Sequence, residues 1–155
     1  MYLKLCLIIL LTVFAVYAHA QQGLFDLSYD LPLQTANDIL EEGGFFLYDS
    51  RGNVGEYRSQ DNIYVSSILL MAEPEKKTLA GWLIKYSKEN SADNDAYVLD
   101  TLQKMHGEKN HYDKDTEQLI WFLTDSRTVH VMYGESNDLI LLYYDSRYPQ
   151  LFGRK

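Results

Sequence analysis

Thr116 to Asp145 reads T-E-Q-L-I-W-F-L-T-D-S-R-T-V-H-V-M-Y-G-E-S-N-D-L-I-L-L-Y-Y-D. Three apolar runs of strand length are separated by two polar breaks, Asp125-Ser126-Arg127 and Gly134-Glu135-Ser136-Asn137. β-Branched and aromatic residues fill the runs, and the breaks hold the Gly, Asn, Asp and Ser that tolerate turn conformations. The pattern predicts an antiparallel meander at the heart of the fold. Leu139 to Tyr144 is apolar on both alternating faces, which places it centrally in a sheet covered on both sides. In Thr128 to Tyr133, Val129, Val131 and Tyr133 face one side, and Thr128, His130 and Met132 the other.

Upstream, the period alternates between helix and strand. Pro32 stands where a helix can begin; Ala36, Ile39 and Leu40 share one helical face, and Gly43-Gly44 supplies the stop. Phe45 to Tyr48 reads as a strand ending in the turn Asp49 to Asn53, and Glu56 to Gln60 as a polar edge strand. Ile63 to Ala72 and Leu79 to Tyr86 form a hairpin around Glu73 to Lys77. After the charged linker Lys88 to Asn94, Asp95 caps a second helix over Ala96 to Met105, with Val98, Leu102 and Met105 inward and Gly107 as stop. Gln21 to Pro32 is a lead-in that docks as an edge segment, and Tyr148 to Lys155 is a short tail.

The expected class is therefore α+β: two helix-plus-antiparallel-meander halves, 21–92 and 93–147, forming one sheet-based domain with the helices on one face, followed by the tail 148–155. Y-D-S-R at Tyr48 to Arg51 and at Tyr144 to Arg147, with D-S-R at Asp125 to Arg127, reads as recurring turn chemistry.

Met1 to Ala20 has the form of a cleaved signal peptide: Lys4, an apolar run from Leu5 to Tyr17, then Ala18-His19-Ala20 at the cleavage site. The run is shorter than the roughly 20 residues that span a bilayer. Its removal takes away Cys6 and leaves 13 basic against 22 acidic side chains, a net charge of −9, with no disulfide available. An exported chain of this kind, free of disulfides and of N-x-S/T sequons, fits a periplasmic or extracellular place in a bacterial envelope.

In order and pattern, two successive units of a short helix and a meander, with L-P-L-Q-T-A-N-D-I-L-E-E-G-G-F opening the first, the chain from Leu31 to Asp145 resembles the beta-lactamase-inhibitor-protein-like superfamily. The resemblance implies a binding protein that presents a sheet face to another protein.

The chemistry-bearing residues support binding over catalysis. His106 sits at a helix stop, where the dipole favours it, and His130 on a strand. His111 and Asp113 are the nucleus an enzyme would need, without a third partner. Asp113 to Glu117 begins like a calcium loop but has Gln118 where Gly is required and Thr124 where Glu is required. Neither G-x-S-x-G nor a phosphate-binding Gly loop occurs, and no cofactor or metal is expected. The acidic excess disfavours nucleic acid and favours a basic protein partner. Two short helices cover only one face of a sheet, so a partner or a second copy of the chain shields the other. The expected partner surface is aromatic and acidic: Trp82, Tyr86, Tyr133, Glu135, Asp138 and Tyr143. The expected function is an exported, non-enzymatic protein-binding protein of the inhibitor or immunity-factor type; the alternative is an envelope structural or assembly component acting as a homodimer.

Overall fold

The computed structural model describes residues 22–153. The leader read in Met1 to Ala20 lies outside them. Among the described residues, α1 (Leu33–Glu42) precedes β1 (Phe46–Arg51), β2 (Val54–Arg58), β3 (Val65–Ala72) and β4 (Leu79–Tyr86). Then α2 (Ala92–His106) precedes β5 (His111–Asp113), β6 (Gln118–Phe122), β7 (Arg127–Tyr133) and β8 (Leu139–Asp145). The strands form one antiparallel sheet in the order β1-β2-β3-β4-β8-β7-β6-β5. Each helix is followed by a strand at an outer edge, and each meander returns to the middle, where β4 and β8 pair. The α+β class and the meander over Thr116 to Asp145 are as the sequence pattern requires.

The register sorts side chains into two faces. Leu47, Tyr57, Ile68, Ile84, Leu141, Val131, Leu119 and Tyr112 follow one another across all eight strands. The adjacent row holds Leu70, Trp82, Tyr143, Val129 and Trp121. The buried residues of both helices, Ala36 and Leu40 of α1 and Val98 and Leu102 of α2, join one core cluster with this side of the sheet. Both helices are amphipathic pairs at i, i+4 spacing, too short to persist without that packing.

The lead-in corrects one expectation. It does not lie at a sheet edge; Gly23 rests against the rings of Trp82 and Tyr143, where a Cβ would come within 2.4 Å of Trp82 and 2.6 Å of Tyr143. Leu27 and Tyr29 are buried in the core cluster, and Asp30 and Leu31 exchange backbone bonds of 2.9 and 2.7 Å with Leu79. The lead-in thus closes the middle of the helix-covered face.

Boundaries differ at three other points. Ser91, not Asp95, caps α2: its Oγ accepts from the Asn94 amide at 3.3 Å, and the helix starts at Ala92. A hydroxyl one residue before the run captures the free amide, leaving Asp93 and Asp95 in the first turn, where the dipole favours them. β1 runs on to Arg51 and turns through Gly52, whose φ of 62° suits glycine. The polar strand β2 is consequently second from the edge.

Two D-S-R segments meet at the open end of the β7–β8 hairpin. Arg127 pairs with Asp145 through Nε at 3.1 Å and with Asp30, the Ser146 amide donates to the Ser126 carbonyl at 2.8 Å, and Arg147 closes on Asp145. Burial pushes the Asp145 carboxyl up, but hydrogen bonds from Arg147 and Arg127 outweigh it and hold it below the usual range. Arg127 is 6% exposed and Asp145 0%, whereas Arg147 is 49% exposed. Arg127→Ala removes one of two guanidinium partners and leaves Asp145 with Arg147, so it should cost about 1–3 kcal/mol in urea unfolding, the loss of a charged hydrogen bond in a buried site. Removing both arginines should cost more than the sum of the single losses, because only then is the buried carboxylate left without a cation. Strictly additive losses would show that the two arginines do not share Asp145.

Candidate functional site

The partner residues expected from the sequence do not form a surface. Trp82 and Tyr143 face each other across the β4–β8 seam with ring centroids 4.1 Å apart and planes 13° from parallel, both fully buried. Tyr86 is buried on the same side. These three aromatics stand on the helix-covered face, where they serve as core and cannot meet a partner while the chain is folded. Asp138 is 2% exposed, with Lys85 at 3.3 Å, while Glu135 is exposed in the β7–β8 turn. Tyr133 is exposed and donates to Asp95 at 2.9 Å; it borders a groove of about 470 Å³ shared with Leu99, Tyr112 and Leu119. Alternation puts Tyr143 and Tyr144 on opposite faces, but no residue in a strand announces which of its faces the helices will choose.

The histidines are dispersed as well. His106 ends α2 with Nε2 3.2 Å from the Tyr143 hydroxyl, and burial pushes its imidazole down to about 4. It is neutral near pH 7, so the favourable interaction of a charged imidazole with the helix terminus is not realised. His130 lies between Gln118 Oε1 and Thr128 Oγ1, each 2.8 Å away, and burial lowers its pKa also. His111 and Asp113 share the outer strand β5. The Asp113 carboxylate is engaged by Thr116 Oγ1 at 2.8 Å and the Asp115 amide at 2.9 Å, which lower its pKa. It closes a turn. Among the described residues, no group of three or more His, Cys, Asp or Glu side chains is placed to hold a metal ion.

What the fold leaves open is the other face of the sheet. Asp49, Glu56, Leu69, Leu83, Leu142, His130, Ile120 and His111 succeed one another across all eight strands. Lys85, Ile140 and Met132 form the next row. Leu69, Leu83, Leu142, Ile140 and Met132 are half-buried by their neighbours alone. At one end of the central β4–β8 seam the tail folds back: Phe152 packs edge-on against Tyr144 at 4.7 Å and fills the space over Gly81, where a Cβ would come within 2.6 Å of its ring.

Charge on this face is nearly balanced. Its cations are Arg51, Arg58 and Lys85 and its acids Asp49, Glu56, Asp113 and Asp138, the last beside Lys85. Asp49 pairs with Arg51 at 2.9 Å and Glu56 with Arg58 at 2.7 Å. The helices, by contrast, carry six carboxylates and one lysine, Lys104. The missed signal was the paired leucines, Leu69, Leu83 and Leu142, which line up only once the strand order is known.

No family model, curated protein or solved structure matches this chain.

The buried imidazole gives a pH signature. Unfolded, His106 takes up a proton near pH ~6.5; folded, it does so only near 4. Its contribution to stability is complete above pH ~6.5 and is lost as pH falls from there toward 4, with His130 acting in the same direction. His106→Gln should reduce the fall in unfolding free energy across that interval by about 1–3 kcal/mol in urea titrations at stepped pH. An unchanged fall would show that His106 is protonated in the native state.

Proposed function

We propose that the chain is an exported, non-enzymatic protein that assembles through the helix-free face of its sheet, with a second copy of the same chain as the occupant. The observation that carries this reading is the leucine-centred row across all eight strands, in which apolar side chains occupy the middle, self-paired charges one flank, and His130, Ile120 and His111 the other. An apolar centre within a polar rim is the anatomy of an interface. Its extent is sufficient: eight strands spaced about 4.8 Å apart, three to eight residues long at about 3.3 Å each, span roughly 700 Å². A standard interface buries about 800 Å² on each partner.

The charge balance favours a copy of the chain over a basic partner at this face. Each cation of this face is already paired with an acid of the same chain, so two such surfaces meet with little cost from unmatched cations. The helices, on the far side of the sheet, carry six of the 22 acidic side chains against one lysine, and that side is where a basic partner would be drawn. The inhibitor-like reading that follows from the superfamily resemblance is retained in coarser form: a sheet face is the docking element. Among the described residues, no helix is long and apolar enough to cross a membrane.

Sedimentation velocity on residues 21–155 should show a dimer that persists at high salt, because apolar burial is not screened. Leu83→Lys with Leu142→Lys should weaken it at least about 100-fold while leaving the far-ultraviolet circular dichroism unchanged, since each lysine would be desolvated at the centre of the contact. A monomer across the accessible concentration range, or a dimer indifferent to the two lysines, overturns the proposal. Salt-sensitive capture of a cationic protein by both the wild type and the double-lysine variant would move recognition to the acidic helix side.

A further inference from the structure

A cleft of about 370 Å³ opens on the helix-covered side, between the first turns of α2 and the adjoining ends of β3 and β4. Tyr64, Tyr97 and Phe25 stand around it, Val65, Val98 and Tyr86 form its inner wall, and Asn62, Asn90 and Asn94 complete its lining. Tyr64 is 53% and Tyr97 73% exposed. No charged side chain lines the cleft, in a chain with net charge −8.

Two of the amides have their orientation fixed by chemistry. Asn62 Oδ1 accepts from the backbone amides of Tyr64 at 2.9 Å and Val65 at 3.0 Å, groups that can only donate. Asn90 Nδ2 donates to the Tyr64 carbonyl at 3.0 Å, a group that can only accept. The remaining polar atoms are therefore a donor, Asn62 Nδ2, and an acceptor, Asn90 Oδ1, neither with a partner among the described residues. The same bonds fix the Tyr64 backbone from both sides, so its exposed ring has only its two side-chain torsions to settle on binding.

We infer that this cleft binds the ring of an uncharged saccharide. A sugar ring offers a C–H face to a tyrosine and hydroxyls that donate and accept at its edge, which matches two exposed aromatic rings beside one fixed donor and one fixed acceptor. An anion would find no cation here, and a cation no carboxylate in the lining. A purely apolar ligand would leave the oriented amides of Asn62 and Asn90 unpaired. The cleft lies on the opposite side of the sheet from the Leu83 and Leu142 face, so it stands or falls independently of self-assembly.

The test is a titration of the ¹⁵N-labelled chain, residues 21–155, with maltotriose, cellotriose and triacetylchitotriose at millimolar concentration, following the side-chain amides of Asn62 and Asn90. At least one of the three should produce saturable shifts at both amides, unaffected by added salt because no ion pair is formed. Tyr64→Ala and Tyr97→Ala should each weaken that binding about tenfold, the loss of one stacked ring, with circular dichroism unchanged because both rings are exposed. No shift with any of the three sugars, shifts abolished by salt, or equal affinity in the tyrosine variants overturns the inference. Shifts produced by an apolar tripeptide such as trileucine but by none of the sugars do the same.

Discussion

The stacked rings of Trp82 and Tyr143 sit where the two meanders meet, and the rest of the structure is arranged around keeping them dry. A four-stranded meander under one short helix has an open inner edge, and its free backbone groups invite pairing. Placing β4 beside β8 satisfies both inner edges at once. It also creates a strip between the helices that neither of them covers. The lead-in fills that strip, with Gly23 pressed on the two rings and the Leu24 amide donating to the Tyr143 hydroxyl at 3.2 Å. His106 reaches the same hydroxyl from the end of α2, so each half of the chain and the lead-in converge on one buried pair. Glycine is required at position 23 because the approach leaves no room for a Cβ.

Much of this plan was legible in the sequence. Periodicity located the helices because Ala36 with Leu40 and Val98 with Leu102 keep helical spacing. Turn residues marked the strands because Gly134 to Asn137 and Asp125 to Arg127 interrupt runs that otherwise alternate. Leu139 to Tyr144 read as central, and it is hydrogen-bonded on both sides. What local pattern could not supply was the sign of each face. Shifting a strand by one residue exchanges its two sides, and a strand apolar on both gives no preference. Tyr143 and Trp82 were therefore placed outward on the strength of residue type, and packing against the helices took them inward.

The D-S-R segments illustrate a second limit. Read as turn chemistry they are indistinguishable, yet Asp125 to Arg127 and Asp145 to Arg147 lie side by side and build a buried ion network, while Asp49 to Arg51 stays on an outer strand with Arg51 exposed. The difference is burial, which depends on the neighbours β8 and the lead-in bring. Asp30 enters the network from a segment 97 residues away in the chain. Long-range pairing of this sort has no periodic signature.

The two faces of the sheet finally differ in what they can do with the same central strands. On one, Ile84 and Leu141 are sealed under the helices, and clefts remain at the margins, one beside Tyr64 and Tyr97 and another beside Tyr112 and Tyr133. On the other, Leu83 and Leu142 stand one residue away along the same strands and have only their neighbours and the tail for cover. Because side chains alternate, stability on the helix side constrains nothing about composition on the other side. A solvated antiparallel face is ordinarily polar. Leucine at the centre of this one therefore needs a reason other than folding, and the self-association proposed above would supply it: a row that a single chain cannot dry would become dry when a matching face met it.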